Sequence, residues 1–177
     1  MRSRRPTGDN TGETHEIALR MLARRALSRA EVSERLLRRG FQPAAVGAEV
    51  ARLERAGLLD EASLARAVCR AELRAGRGRR AVVAALKRRK VDGEDREAAL
   101  ADLDGAEAES AALEAAVAKV TAKHRFWRRL PEQRRKVIRY LLARGFGLAD
   151  VRRALAVIGE EPHGEQADDA GDPQDVP

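Results

Sequence analysis

The sequence predicts an all-α protein of three tandem three-helix units in an elongated, curved arrangement, on three observations. First, aromatic residues make up only 3% of the 177 residues while 44% are hydrophobic, so a core must be built mainly from Leu, Val and Ala. Ala, Leu, Arg and Glu are strong helix formers, and clusters of β-branched or aromatic residues are scarce. Second, "LLRRGFQPAAV" (Leu36 to Val46) returns as "LLARGFGLADV" (Leu141 to Val151), identical at seven of eleven positions. A degenerate copy, "LKRRKVDGEDR", lies between them at an offset of 50, with Leu86 over Leu36, Arg89 over Arg39 and Val91 over Phe41. Third, each copy sits between helix-start and helix-stop signals. The apolar stripe repeats too, with Val32 matching Val82 and Val137, and Leu53 matching Leu103 and Ile158.

Taken in order, residues 1–14 are expected to be disordered and residues 15–57 to form the first unit. Ile17, Leu19, Met21 and Leu22 mark a helix over 15–26. Ser28 and Glu31 spell a capping box, with Leu27 and Val32 as its hydrophobic staple, which opens a helix over 29–39. Gly40 stands where a left-handed C-cap is wanted and Phe41 is the apolar residue that folds back. Pro43 suits the first turn of a helix to residue 56, closed by Gly57. In the second unit, 58–104, Asp60 caps a helix to about Ala75, Gly76 and Gly78 turn the chain, Arg79 to Lys90 forms the middle helix, and Asp92 and Asp95 start the third. The third unit, 105–158, carries an Ala/Glu-rich helix toward His124, a helix from Pro131 to Arg144 and one from Leu148 to Ile158. "RGF" is therefore the corner between the second and third helices of a unit.

Charge is unevenly placed. Residues 159–177 hold seven acidic and no basic residues, leaving 35 basic against 21 acidic before them, a surplus of 14. Such a tail is expected to be disordered, either solubilising the chain or competing with a polyanion for the basic body. The single cysteine, Cys69, excludes an intrachain disulfide and fits a reducing, cytoplasmic compartment. No secretory h-region and no membrane span is expected.

Three tandem units, "GLLDEASLARAVCRAEL" (Gly57 to Leu73), the "GRGRRAVVAALKRR" that follows, and "RRKVIRYLLARGFGLADVRRAL" (Arg134 to Leu155) together resemble the RecX family of bacterial RecA regulators, over roughly residues 15–158. Two positions depart from the family pattern. Leu64 stands where an aromatic usually follows the acidic pair. Lys90 replaces the corner glycine, which disfavours a left-handed cap in the middle unit. The resemblance implies a non-enzymatic, monomeric protein without cofactor or membrane partner. Such a protein would bind the RecA nucleoprotein filament and modulate, by inhibition, its recombinase, ATPase and co-protease activities in DNA repair, recombination and the SOS response. Direct contact with single- or double-stranded DNA would be weak.

The residues reach part of this independently. Arg74 to Lys90 holds eight basic and no acidic residues, and Lys123 to Arg144 holds nine basic residues against Glu132 alone. Such stripes fit polyanions or acidic protein surfaces. Arg79, Arg80, Lys87 and Arg88, with Arg134, Arg135, Lys136 and Arg139, are the candidate contacts to filament or nucleic acid. Helical spacing puts Arg80, Lys87 and Arg88 on one face and Arg135 with Arg139 on another, while Arg79 and Arg134 point elsewhere. Arg39 and Arg144 are weaker candidates, since a cation in a last helical turn also favours the helix dipole.

Catalysis finds no candidate. "GRGRRA" (Gly76 to Ala81) matches G-x-G-x-x-A but follows a helix instead of a strand, and His15, His124 and His163 are dispersed and lack metal-ligand spacing. Cys69 reads as a buried hydrophobe. Phe126 and Trp127 border the most basic run and read as packing rather than base-stacking residues. An alternative is a direct DNA-binding helix-turn-helix protein or transcription regulator, and an adaptor for another assembly is a third class.

Overall fold

The computed structural model describes residues 11–91, 93–104 and 107–159, and these are all-helical and turn. Chain order gives α1 (Thr11–Leu22), α2 (Arg29–Leu37), α3 (Pro43–Arg55), α4 (Glu61–Arg74), α5 (Arg79–Arg88), α6 (Glu94–Asp104), α7 (Glu107–Lys123), α8 (Pro131–Ala143) and α9 (Leu148–Gly159). The helices pack as three triplets, α1–α3, α4–α6 and α7–α9. The expected tail, the N-cap Asp92 and the boundary at Gly105 lie outside the described residues.

Local signals set most helix ends. Ser28 Oγ accepts from the Glu31 amide and the Glu31 carboxylate accepts from the Ser28 amide, the reciprocal pair that starts α2. Asp60 Oδ1 accepts from the Ser63 amide at 2.8 Å to start α4. All three corners close by the Schellman pattern. The amides of Phe41, Val91 and Phe146 donate to the carbonyls of Leu36, Leu86 and Leu141. Those three apolar residues are buried beneath their corners.

Two expectations are corrected. Residues 11–14 belong to α1 instead of a disordered lead-in, because Thr14 is fully buried beside Ala18 and His15 Nδ1 lies 2.7 Å from Glu49 Oε1 on α3. α1 then ends at Leu22 rather than residue 26. The middle corner also keeps its left-handed cap, with Lys90 at φ 55°. The fully buried Val91 anchors the turn, and the Lys90 ammonium lies 2.5 Å from Glu34 on α2.

The triplets are joined in two different ways. Residues of α4–α9 form one continuous apolar core that includes Cys69, Leu86, Leu113, Val117, Leu141 and Phe146. The first triplet has its own core around Val32, Leu36, Phe41 and Leu53, closed by Leu59. Between that triplet and the second, polar contacts do the joining. Arg29, which also pairs with Glu54 inside its own triplet, pairs with Glu61 and Asp95 of the second, Arg89 pairs with Glu31, and Lys90 pairs with Glu34.

One device recurs at both junctions and explains the arginine in the repeated phrase. Arg89 at the middle corner donates to Ala26 O at 2.7 Å, in the turn before α2. Arg144 at the last corner donates to Ala75 O at 2.7 Å and to Gly76 O at 3.4 Å, in the turn before α5. A glutamate from the first turn of the following triplet completes each joint. Glu61 accepts from the Arg29 amide at 2.8 Å, and Glu109 from the Arg79 amide at 2.9 Å. Arg39, at the corner of the first described triplet, instead folds back on Arg35 O and Met21 Sδ.

Candidate functional site

The two basic runs meet across the second junction. The amides of Gly78 and Arg80, at the start of α5, donate to the carbonyls of Arg144 and Gly145 at 2.9 and 3.1 Å. The positive end of one helix dipole thus rests on the negative end of another. The approach needs small residues. A Cβ on Gly78 would lie 2.5 Å from Phe146 Cδ1, and one on Gly145 would lie 2.5 Å from the Ala81 nitrogen. "GRGRRA" is therefore a socket for the following triplet, and its free amides are already taken by protein.

This contact sets α5 and α8 side by side with an open groove of about 720 Å³ between them. Ala81, Ala84 and Arg88 of α5 line it from one side, and Tyr140 and Ala143 of α8 with the capping Arg144 from the other. Arg77 pairs with Glu72 at 2.8 Å, and Arg88 lies 3.8 Å from the same carboxylate. Arg144 lies over the Tyr140 ring at 5.0 Å, so that ring face is covered.

The expected contact residues divide accordingly. Arg88 lines the groove. Arg80 and Lys87 stand one helical turn on either side of Ala84, which spacing makes the rim of α5, and Lys136 and Arg139 precede Tyr140 and Ala143 by one turn, which makes the corresponding rim of α8, with Arg135 behind Arg139. All six are exposed, and among the described residues only Arg88 has a carboxylate within 4 Å. Arg79 lies apart. It is half-buried, and its Nη1 donates to Leu100 O at 3.1 Å on α6. Arg134 is exposed on α8 but outside both rims. The sequence reading missed Arg77 and Tyr140. The only signal for them was the run of small residues, Ala81, Ala84 and Ala143, which lets two helices share a groove.

The aromatic pair splits. Trp127 is 6% exposed and belongs to the core, whereas Phe126 is 59% exposed. Cys69 is buried, its thiol donates toward Ala99 O at 3.7 Å, and burial pushes its pKa up. Among the described residues no cluster of three or more His, Cys, Asp or Glu is placed to hold a metal, and no helix is long and apolar enough to cross a membrane.

Two junction carboxyls shift in opposite directions. Burial pushes Glu31 up, but hydrogen bonds from Arg25, the Ser28 amide and Arg89 outweigh it, so Glu31 titrates below the ordinary glutamate value. Burial dominates at Glu61, which is raised despite the Arg29 amide and guanidinium.

Residues 15–53 match the family model for the first three-helix domain of RecX. The chain is 35% identical over 150 residues to Regulatory protein RecX of Halorhodospira halophila, covering 82% of this chain and 88% of that one. It is 41% identical over 101 residues to Regulatory protein RecX of Mycobacterium sp. (strain JLS), a match spanning about half that relative's length, 55%. The fold superposes on the crystal structure of RecX from Lactobacillus salivarius with a TM-score of 0.76 at 16% identity, covering 85% of this chain and 97% of that one. With the Halorhodospira relative matched along most of both lengths, the chain belongs to the RecX family.

Proposed function

We propose that this chain is a non-enzymatic, cytoplasmic regulator that binds the RecA nucleoprotein filament and restrains RecA's recombinase, ATPase and co-protease activities. One observation carries the reading beyond family membership. Arg77, Arg88 and Arg144 line a single groove in which Glu72 is the one carboxylate, and helical spacing sets the exposed Arg80 and Lys87 of α5 and Lys136 and Arg139 of α8, more than 40 residues apart in sequence, about one turn from its lining residues. An open groove lined by three cations, with further exposed cations on both of its helices, fits an extended anionic surface better than a compact ligand. Repeat architectures present such surfaces along their stacking direction.

The test is RecA ATPase and filament length on single-stranded DNA at stoichiometric amounts of wild type and of the Arg80→Glu/Arg88→Glu double variant. Wild type lowers ATPase and shortens or loosens filaments. The double variant binds filaments poorly with an unchanged helical circular-dichroism signal. No effect of wild type removes the reading, and wild-type binding by the variant removes α5 from the interface. Sequence-selective binding to bare duplex without RecA would favour the transcription-regulator alternative.

A further inference from the structure

The turn between α7 and α8 holds a feature that the groove does not use. Phe126 is the most exposed aromatic side chain of the described residues, at 59%, although the chain has few aromatics to spare for its core. Its neighbours Lys123, Arg125, Arg128 and Arg129 are all exposed cations, and Arg134 and Arg135, the latter also beside the groove's rim, follow in the first two turns of α8. Among the described residues none of these six has a carboxylate within 4 Å.

The turn is also firmly built. Trp127 is buried in the core beneath it, and the Arg128 guanidinium lies over the indole at 5.4 Å while donating to Ile158 O at the end of α9. The Phe126 amide donates to Gln133 Oε1 at 3.2 Å, and the amides of Arg129 and Leu130 donate to Phe126 O at 3.0 and 2.8 Å. Phe126 is thus held outward by a hydrogen-bonded turn anchored on both sides. Its ring is presented before any ligand arrives, which lowers the ordering cost of binding.

We propose that this turn is a binding site for single-stranded nucleic acid, with one base stacked on Phe126 and the flanking phosphates on Arg125 and Arg129. The chemistry favours this ligand over an apolar protein segment. A lone exposed ring among cations offers a π face together with positive charge, the combination that single strands require. A protein segment docking here would bury several unpaired guanidinium groups. A duplex hides its base faces and can use only the cations. The site stands apart from the groove reading, and either can hold without the other.

The experiment measures binding of a labelled thymidine oligonucleotide of about 15 residues, within the roughly 4–16 that a single-strand module covers. It uses the full chain without RecA, followed by anisotropy and by fluorescence of Trp127, the only tryptophan. Wild type binds, perturbs Trp127 and prefers the single strand to the matching duplex. Phe126→Ala weakens binding roughly 5- to 150-fold, the range for losing one stacked base, with an unchanged salt slope. Phe126→Leu loses as much, and Phe126→Tyr restores binding. Arg125→Ala/Arg129→Ala lowers the slope of log affinity against log salt by about 1.4, at about 0.7 per phosphate. Circular dichroism checks the fold of each variant. The proposal is overturned by no binding at about 50 mM salt, by equal affinity for single strand and duplex, or by wild-type affinity in Phe126→Leu.

Discussion

Gly40 and Gly145 share a φ of 90°, the same corner position and opposite surroundings, so alanine at each separates backbone strain from interface geometry. At Gly40 an added Cβ meets nothing within 4 Å, and the cost is the left-handed conformation alone, about 1–2 kcal/mol. At Gly145 the same Cβ would lie 2.5 Å from the Ala81 nitrogen and 2.9 Å from the Ala81 Cβ. Backbone must retreat, stretching the hydrogen bonds from Gly78 and Arg80 to the corner carbonyls. With about 1–3 kcal/mol for each donor left unsatisfied, the total is roughly 3–8 kcal/mol. The lower half applies, because Arg80 is exposed and water can replace its acceptor. Urea unfolding followed by Trp127 fluorescence reports the core shared by α4–α9. With m of about 1–3 kcal/mol/M, Gly145→Ala lowers its midpoint by at least about 1 M. Gly40→Ala acts on the first triplet and is read by circular dichroism. Equal losses at the two glycines would refute the socket.

Four further outcomes are expected. Lys90→Gly raises the melting temperature, because relief of the left-handed strain outweighs an exposed ion pair with Glu34; a lower melting temperature would assign the corner's stability to that pair. Glu31, lowered in the folded state, stabilises above its unfolded value near 4.5, and that contribution is lost as pH falls through the folded value. The loss below about pH 4.5 is therefore smaller in Glu31→Gln, as acid titration of the first triplet's circular dichroism reads out. Glu61 has the opposite sign, stabilising below its unfolded value and losing that contribution as pH rises through its raised one, so Glu61→Gln, which keeps an acceptor for the Arg29 amide, is at least as stable as wild type at pH 7. Cys69 reacts with a thiol reagent only at the rate of unfolding, and fast labelling of the native chain would place it at the surface.

Local chemistry made most of the helix plan legible. Ser28 with Glu31, Asp60, and the glycines of the first and last corners each act within a few residues of where they stand, so their roles can be read from spacing. The errors arose where distant chain decided. Burial of Thr14 against its own triplet extended α1, and packing of Val91 held Lys90 in a conformation that its side chain disfavours. Arg89 and Arg144 reach 63 and 69 residues back along the chain, so nothing in their own neighbourhood marked them as clamps. The candidate site was half legible. Helical spacing aligned Arg80, Lys87 and Arg88 and set Arg79 aside, but the meeting of α5 and α8 depends on Gly145 reaching Ala81 across a junction that no periodicity reveals.

The contrast between the two junctions has a mechanical consequence. A molecule fused by apolar packing at one joint and held by ion pairs at the other does not yield evenly under load. Salt weakens the exposed pair between Lys90 and Glu34 most, and the pairs to the buried Glu31 and Glu61 less, but barely affects the packing under Phe146. The first triplet is then the compliant arm and α4–α9 the stiff one. Rising ionic strength softens the elbow near Leu58 while both arms keep their internal structure. On a filament surface of the kind proposed above, with slightly varying pitch, that single soft elbow would let both arms stay seated at once.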